Sequence, residues 1–152
     1  MELEKLINDD IKQTMLARDS RKLDALRAIK AALLLEKTGK DLKWDGEIPE
    51  EVELKLLQKL VKMRRESAEL YKSQNRPDLA EEELFQAGII EKYLPAQMDE
   101  AEIETVIKAI ITETGAQNIK DMGRVMGAAT KKLAGKADNK AISEIIKRLL
   151  GS

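Results

Sequence analysis

The chain has 152 residues, of which 43% are hydrophobic, 36% charged and 3% aromatic, and its formal net charge is −1 at pH 7. It contains neither cysteine nor histidine. This composition excludes disulfides, thiol chemistry, zinc ligand sets built from these residues, and catalytic pairs of serine or cysteine with histidine.

Nothing in the sequence indicates a membrane or secretory protein. No apolar run approaches the roughly 18 residues that span a bilayer. The N-terminal sequence MELEKLINDD lacks the apolar core of a secretory signal and is too acidic for a transit peptide. Together with the absence of cysteine, these features predict a cytoplasmic location without membrane contact.

The first 96 residues have the apolar periodicity of four helices. Asp19 or Ser20 is expected to cap the second helix, Gly39 to stop it, and Asn75 to cap the fourth. Pro95 ends this region, because the residue before a proline avoids helical backbone. The predicted helices run from Glu2 to about Arg18, from Arg21 to about Lys37, from Pro49 to about Ser73 and from Pro77 to Leu94.

The third predicted helix is the longest, and its apolar residues form a broad stripe. The irregular segment before it contains Trp44, the only tryptophan, which either folds back as a lid on the core or marks a contact patch. The lid is the preferred interpretation. The inward face of the helix is expected at Val52, Leu56, Leu60, Met63, Ser67 and Leu70, widened by Leu57, Val61 and Ala68.

Residues 97–152 are predicted to form a second, smaller domain of three helices. Asp99 with Glu102 three residues later forms an acidic variant of the capping box. The sequence therefore predicts an all-α chain, with a helical N-terminal domain of about four helices at 1–96 and a three-helix domain at 97–152. The expected caps and stops of the three helices are Asp99, Gly115, Asn118, Gly135 and Asp138.

The C-terminal end is basic. Residues 116–152 carry eight Lys or Arg against three Asp or Glu, a net charge of +5, so the rest of the chain carries −6. Such asymmetry hints at a surface that faces a polyanion. Cations in the last turn of a helix also complement its dipole, and this is the preferred explanation for Lys131, Lys132, Lys147 and Arg148. The candidates for phosphate contact are Lys120, Arg124, Lys131, Lys132, Lys136 and Lys140.

Glycines interrupt the same basic stretch. Gly123 and Gly127 lie four residues apart inside a segment with helical apolar spacing, and Gly135 follows them. A glycine costs a helix interior about 1 kcal/mol relative to alanine, so two of them indicate that another backbone comes close. That backbone is either a packed helix, which is the preferred interpretation, or the sugar-phosphate of a nucleic acid.

No residues are assigned to catalysis, metal binding or a cofactor. The run Glu81–Glu83 cannot converge on one ion, because consecutive helical residues point in different directions. Arg18, Arg21 and Arg27 form a second candidate anion patch, although a salt-bridge network with the nearby acids is preferred.

Five ordered blocks resemble the YqeY family, also called GatB/YqeY-like proteins: RRESAELY, RPDLAEEE, EKYLPAQM, DMGRVMGAATKKLAGKAD and the closing helix. The resemblance implies an all-α protein whose C-terminal part is similar to the tail domain of the aspartyl/glutamyl-tRNA amidotransferase B subunit, a tail associated with holding tRNA. Asn139 departs from the glycine frequent in the family, but asparagine tolerates left-handed backbone. By resemblance the matching positions are Met122, Gly123, Arg124, Val125, Met126, Gly127, Lys131, Lys132, Gly135 and Lys136.

Three functions follow as hypotheses. The first is an accessory module that binds tRNA through the basic end. The second is an adaptor that docks on an aminoacyl-tRNA synthetase or an amidotransferase subunit through Met122 and Met126, without contacting nucleic acid. The third is a carbon-nitrogen ligase with glutamine as amido donor, which the resemblance implies but for which the residues show no activated nucleophile.

Overall fold

The computed structural model describes residues 2–39 and 47–151, and within these ranges it contains no strand. The predicted all-α fold is confirmed. Trp44 lies outside the described residues, and so does the prediction made for it. The described helices are α1 (Glu2–Leu16), α2 (Ser20–Thr38), α3 (Glu50–Ser73), α4 (Pro77–Glu91), α5 (Glu100–Thr114), α6 (Met122–Lys132) and α7 (Asn139–Leu149), with one 3-10 turn at Ile119–Asp121.

The chain separates into two compact units, Met1–Leu94 and Pro95–Ser152. The predicted boundary between residues 96 and 97 is compatible with this division, and the independence of the two domains stays a prediction. None of the described helices combines the length and apolar character that a membrane span requires.

In the N-terminal unit, α3 packs along α4, while α2 packs against α1, α3 and α4. Thr14 is buried with the apolar residues of α1. The elements share one core because each contributes at least one fully buried aliphatic side chain. These side chains are Ile7 from α1, Leu26 and Ile29 from α2, Leu57 from α3 and Ile90 from α4.

The buried face of α3 differs from the predicted one. Met63 and Leu70, expected inside, are 51% and 57% exposed, whereas Leu57, Val61 and Ala68 are buried. Two adjacent apolar stripes run along this helix. The neighbouring helices cover the stripe of Leu57, Val61 and Ala68, which the sequence pattern places at the side of the inward face. The prediction of the centre of the stripe was therefore wrong. Apolar spacing also predicts inward positions for Leu6 and Met15 on the first helix and Leu84 on the fourth, but all three are exposed.

The turn between α3 and α4 is built on Asn75, which has a φ of 63°. Its N–H donates to the carbonyl of Lys72 at 3.1 Å, and the N–H of Arg76 donates to the carbonyl of Tyr71 at 2.8 Å. Asn75 thus ends α3 in the left-handed conformation, which asparagine tolerates. The predicted N-cap role is wrong, because Arg76 occupies that position and Pro77 follows as the first helical residue.

In the C-terminal unit, α5, α6 and α7 pack against one another around a separate core. Asp99 caps α5 by accepting the N–H of Glu102 at 2.8 Å, and Gly115 ends α5 with a φ of 70°, both as predicted. Asn118 caps the 3-10 turn instead of α6, since its side chain accepts the N–H of Lys120 at 2.9 Å. The core is formed by Ile103, Ile107, Ile110, Val125, Ala129, Leu133, Ile142, Ile145, Ile146 and Leu150 together with Ala116 and Ala137.

The segment before α5 is tied to the loop between α6 and α7. The N–H of Met98 donates to the carbonyl of Lys136 at 2.9 Å, and Gln97 Nε2 donates to the carbonyl of Gly135 at 2.7 Å. Asp138 occupies the N-cap position of α7 without a side-chain capping hydrogen bond. Asn139 is the first residue of that helix, so its position requires no left-handed backbone.

Candidate nucleic-acid interface

The core fixes which side of α6 faces solvent. Val125 and Ala129 are fully buried in the centre of the C-terminal unit. With 3.6 residues per turn, Arg124, Gly127 and Lys131 fall on the opposite side of the helix, with Gly123 beside them. All four are exposed. We call these four residues, together with Lys120 in the preceding 3-10 turn, the outer face of α6.

Neither glycine of the outer face is packed against another described element. A Cβ atom built on Gly123 or on Gly127 would meet no atom within 4 Å beyond the backbone of α6 itself. The preferred interpretation, that these glycines let a neighbouring helix come close, is therefore wrong. The space over both residues is open to a ligand.

Cations surround this open backbone. Arg124 is 56% exposed and donates to Asp121 Oδ1 at 3.1 Å. The hydrogen bond from the backbone N–H of Gln117 lowers the pKa of Asp121, and the positive charge of Arg124 lowers it further. The carboxylate that binds Arg124 therefore stays ionised. Lys120 and Lys131 are exposed, and neither has an ion-pair partner within residues 2–39 and 47–151.

The other three predicted cations lie elsewhere. Lys132 follows Val125 by seven residues and so lies at the edge of the buried side of α6, with its Nζ 3.9 Å from Oε1 of Glu113. Lys136 is half-buried in the loop after α6, and Lys140 is in the first turn of α7. The helix geometry therefore groups Arg124 and Lys131, with Lys120 in the turn just before α6, and leaves Lys132, Lys136 and Lys140 outside the outer face.

Gly135 has a different role from the two helical glycines. It is buried and has a φ of 74°, a conformation that side chains rarely adopt. Its carbonyl accepts the hydrogen bond from Gln97. The backbone conformation of the turn after α6 accounts for glycine at this position, and no ligand is needed to explain it.

The methionines proposed for adaptor docking belong to the core region. Met122 and Met126 are half-buried and pack against the buried cluster of the C-terminal unit. Met122 lies on the core side of α6, and Met126 lies at the edge of the outer face, three residues after Gly123. Because both are half-buried, they offer little surface for docking.

A family model described as Yqey-like protein matches residues 4–150. The chain belongs to this family. Because the match includes both compact units, the outer face of α6 lies within the region that defines the family, and the resemblance inferred from the ordered sequence blocks is confirmed.

Three fungal relatives of this YqeY-family chain are each named altered inheritance of mitochondria protein 41, mitochondrial. The one from Pyrenophora tritici-repentis is 28% identical over 148 residues, which cover 94% of this chain and 78% of that protein. The one from Clavispora lusitaniae is 34% identical over 128 residues, covering 82% and 69%. The one from Meyerozyma guilliermondii is 38% identical over 86 residues, covering 56% and 42%.

These relatives contradict the predicted cytoplasmic location, because all three are named as mitochondrial proteins. The prediction was wrong for a chemical reason. A lack of cysteine indicates only that no disulfide is needed, and it does not distinguish one reducing compartment from another. The comparison points to mitochondria instead.

The second candidate anion patch is engaged within the N-terminal unit. Arg21 donates to Glu81 Oε1 and to Glu82 Oε2, each at 3.0 Å, and its guanidinium lies 4.0 Å from the centre of the Phe85 ring. The predicted salt-bridge network thus exists at Arg21, but its acids come from α4 and not from the adjacent sequence. This arginine links α2 to α4.

A buried carboxyl near the start of α3 is the most perturbed acid of the described residues. Glu53 is only 7% exposed, and its Oε2 accepts no hydrogen bond from any described residue. Burial, with the nearby carboxylates of Glu50, Glu4 and Glu47, raises the pKa of Glu53 to about 7. Within the described ranges no group of three or more acidic side chains is arranged to hold a metal ion.

Proposed function

We propose that this YqeY-family protein is an accessory module that binds tRNA through the outer face of α6. The observation that carries the proposal is the open backbone at Gly123 and Gly127 between exposed cations. Two glycines weaken an isolated helix by about 2 kcal/mol relative to alanine, and no contact with the described part of the C-terminal unit offsets that loss. A ligand that approaches the helix backbone explains why glycine occupies both positions.

The charges on the outer face favour a phosphate backbone as that ligand. Lys120, Arg124 and Lys131 flank the glycines along the chain, and among the described residues Asp121 pairs with Arg124 only. Cations of this kind contact phosphates without reading sequence. The resemblance to the amidotransferase tail supports tRNA among nucleic acids and supports a role in amidotransferase-related tRNA metabolism, with no reaction assigned.

The adaptor alternative is less well supported. It needs Met122 and Met126 as a docking surface, and both pack against the core of the C-terminal unit. Binding through the outer face needs no rearrangement of the helices.

The proposal is tested by measuring the affinity of the full chain for tRNA between 50 and 200 mM KCl. Lys131→Ala should weaken binding and reduce the slope of log K against log salt by about one, because one phosphate contact is lost. Gly127→Ala should also weaken binding, yet raise the free energy of unfolding by about 0.5–1 kcal/mol, because alanine favours the helix.

The matched control is Lys147→Ala. Lys147, like Lys131, is an exposed lysine in the last turn of an 11-residue helix, but it lies on α7. If Lys147→Ala reduces the slope as much as Lys131→Ala, or if Gly127→Ala binds as tightly as the unaltered chain, the outer face is not the binding surface.

A further inference from the structure

One side of α3 carries apolar side chains that the described part of the N-terminal unit leaves exposed. Met63 and Leu70 are 51% and 57% exposed, and they lie seven residues apart, so they project from the same side of the helix. Leu56, seven residues before Met63, lies on that side too and is half-buried at the edge of the core. Three large apolar residues thus form a line away from the buried Val61 and Ala68.

Two charged residues complete this line. Lys59 and Glu66 fall between the apolar residues, so the spacing along the line alternates between three and four residues. Both side chains are exposed, and neither has an ion-pair partner within residues 2–39 and 47–151. The spacing is that of the contact stripe between two paired helices. We call the five residues the α3 seam: Leu56, Lys59, Met63, Glu66 and Leu70.

The other cations near the middle of α3 are directed elsewhere. Arg64 Nε donates to Gln86 Oε1 at 3.1 Å, and Arg65 pairs with Glu91. Both arginines therefore face α4, and their charges do not add to the seam.

The order of residues in the α3 seam is self-complementary. Leu56 and Leu70 are each seven residues from Met63. Lys59 precedes Met63 by four residues, and Glu66 follows it by three. A two-fold axis through Met63 therefore places an antiparallel second copy of α3 with leucine against leucine and lysine against glutamate. A parallel copy in the same register would place like charges together, which is unfavourable.

We propose that the α3 seam binds a second copy of this chain, as an antiparallel pair of α3 helices around a two-fold axis at Met63. The pair removes Met63 and Leu70 from water, and two ion pairs between Lys59 and Glu66 fix its register and direction. The seam is about 21 Å long, which is short for an interface between two proteins, so we expect a weak dimer. The dimer does not depend on tRNA binding, because it uses no residue of the outer face of α6.

Sedimentation equilibrium of the full chain measures the dimer directly, and we expect reversible dimerisation as the protein concentration rises. Lys59→Glu and Glu66→Lys should each weaken dimerisation by about tenfold, because two attractions become two repulsions. The double variant Lys59→Glu/Glu66→Lys should dimerise about as tightly as the unaltered chain, since the exchanged charges pair again.

The matched control is Lys30→Glu, which makes the same change of charge at an exposed residue of α2. It should leave dimerisation unchanged, and combined with Glu66→Lys it should not restore it. Three results would each overturn the proposal. They are a monomer at all concentrations up to about 1 mM, equal weakening by Lys30→Glu, and no recovery in the double variant of the seam.

Disulfide cross-linking tests the antiparallel direction. The chain contains no cysteine, so a single introduced cysteine can form a disulfide only with its counterpart in another copy. Met63→Cys, on the axis, should give a cross-linked dimer under mild oxidation. Leu70→Cys should not, because its two counterparts lie about 21 Å apart in the antiparallel pair, beyond the reach of a disulfide. Cross-linking of Leu70→Cys as fast as Met63→Cys would contradict the proposed pair.

Discussion

At three positions of the C-terminal unit, glycine occurs for different physical reasons. Gly135 is required by a φ of 74°, whereas Gly123 and Gly127 lie in ordinary helix with open space over them. A sequence shows that a helix contains a costly residue, but it does not show whether a neighbour lies over it. The packing of α6 therefore decides between the two explanations for the helical glycines.

Glu53 shows how burial changes the charge of one residue. An unfolded glutamate titrates at 4.5, and the folded one at about 7, so the folded state binds the proton more tightly. The stability due to this proton is complete below pH 4.5 and is lost as the pH rises through 7. The loss amounts to about 2–3 kcal/mol.

Replacing Glu53 by glutamine should remove this pH dependence. We expect Glu53→Gln to raise the free energy of unfolding of the N-terminal unit by about 2 kcal/mol at pH 8 and to leave it nearly unchanged at pH 4.5. Urea unfolding at the two pH values measures the difference. Glu66→Gln, at an exposed position of the same helix, is the control. A gain of equal size at both pH values would show that the buried charge is not the cause.

Among the elements, α3 shows the limit of periodicity. Its sequence offers two neighbouring apolar stripes, and a pattern of 3.6 residues predicts a helix for either. The contacts with α2 and α4 select the stripe of Leu57, Val61 and Ala68 and leave Leu70 at the surface. For α5 the apolar spacing predicts one inward face, and its residues Ile103, Ile107 and Ile110 are buried.

Substitutions on the two stripes of α3 should differ sharply. Leu57→Ala should cost about 2–5 kcal/mol, because it leaves a cavity in the core of the N-terminal unit. Leu70→Ala should cost about 0.5 kcal/mol or less, because that side chain is mostly exposed. Chemical denaturation of both variants gives the comparison. A larger loss for Leu70→Ala would support the stripe predicted from sequence.

In the whole molecule, the described residues form two cores that share no member. Each unit has its own fully buried aliphatic side chains, Leu57 and Ile90 in one and Ile107 and Ile146 in the other. Since a domain is expected to have its own core, we predict that the two units unfold independently.

Hydrogen exchange of the full chain tests this independence. Ile107→Ala should lower the protection of amides in α5, α6 and α7 by about 2–5 kcal/mol and leave α3 and α4 unchanged. Leu57→Ala should do the reverse. If either variant lowers protection equally in both units, the chain unfolds as one cooperative structure.

The sequence by itself determined the all-α class, nearly all helix boundaries, the capping of α5 by Asp99 and the membership of the YqeY family. These features depend on neighbours along the chain, such as caps, prolines and apolar spacing. Only the tertiary structure decided which stripe of α3 is buried, that Gly123 and Gly127 face open space, and that Lys132 and Lys136 lie apart from Arg124. The reason is physical: the exposure of a side chain depends on elements distant in sequence, which local patterns do not specify.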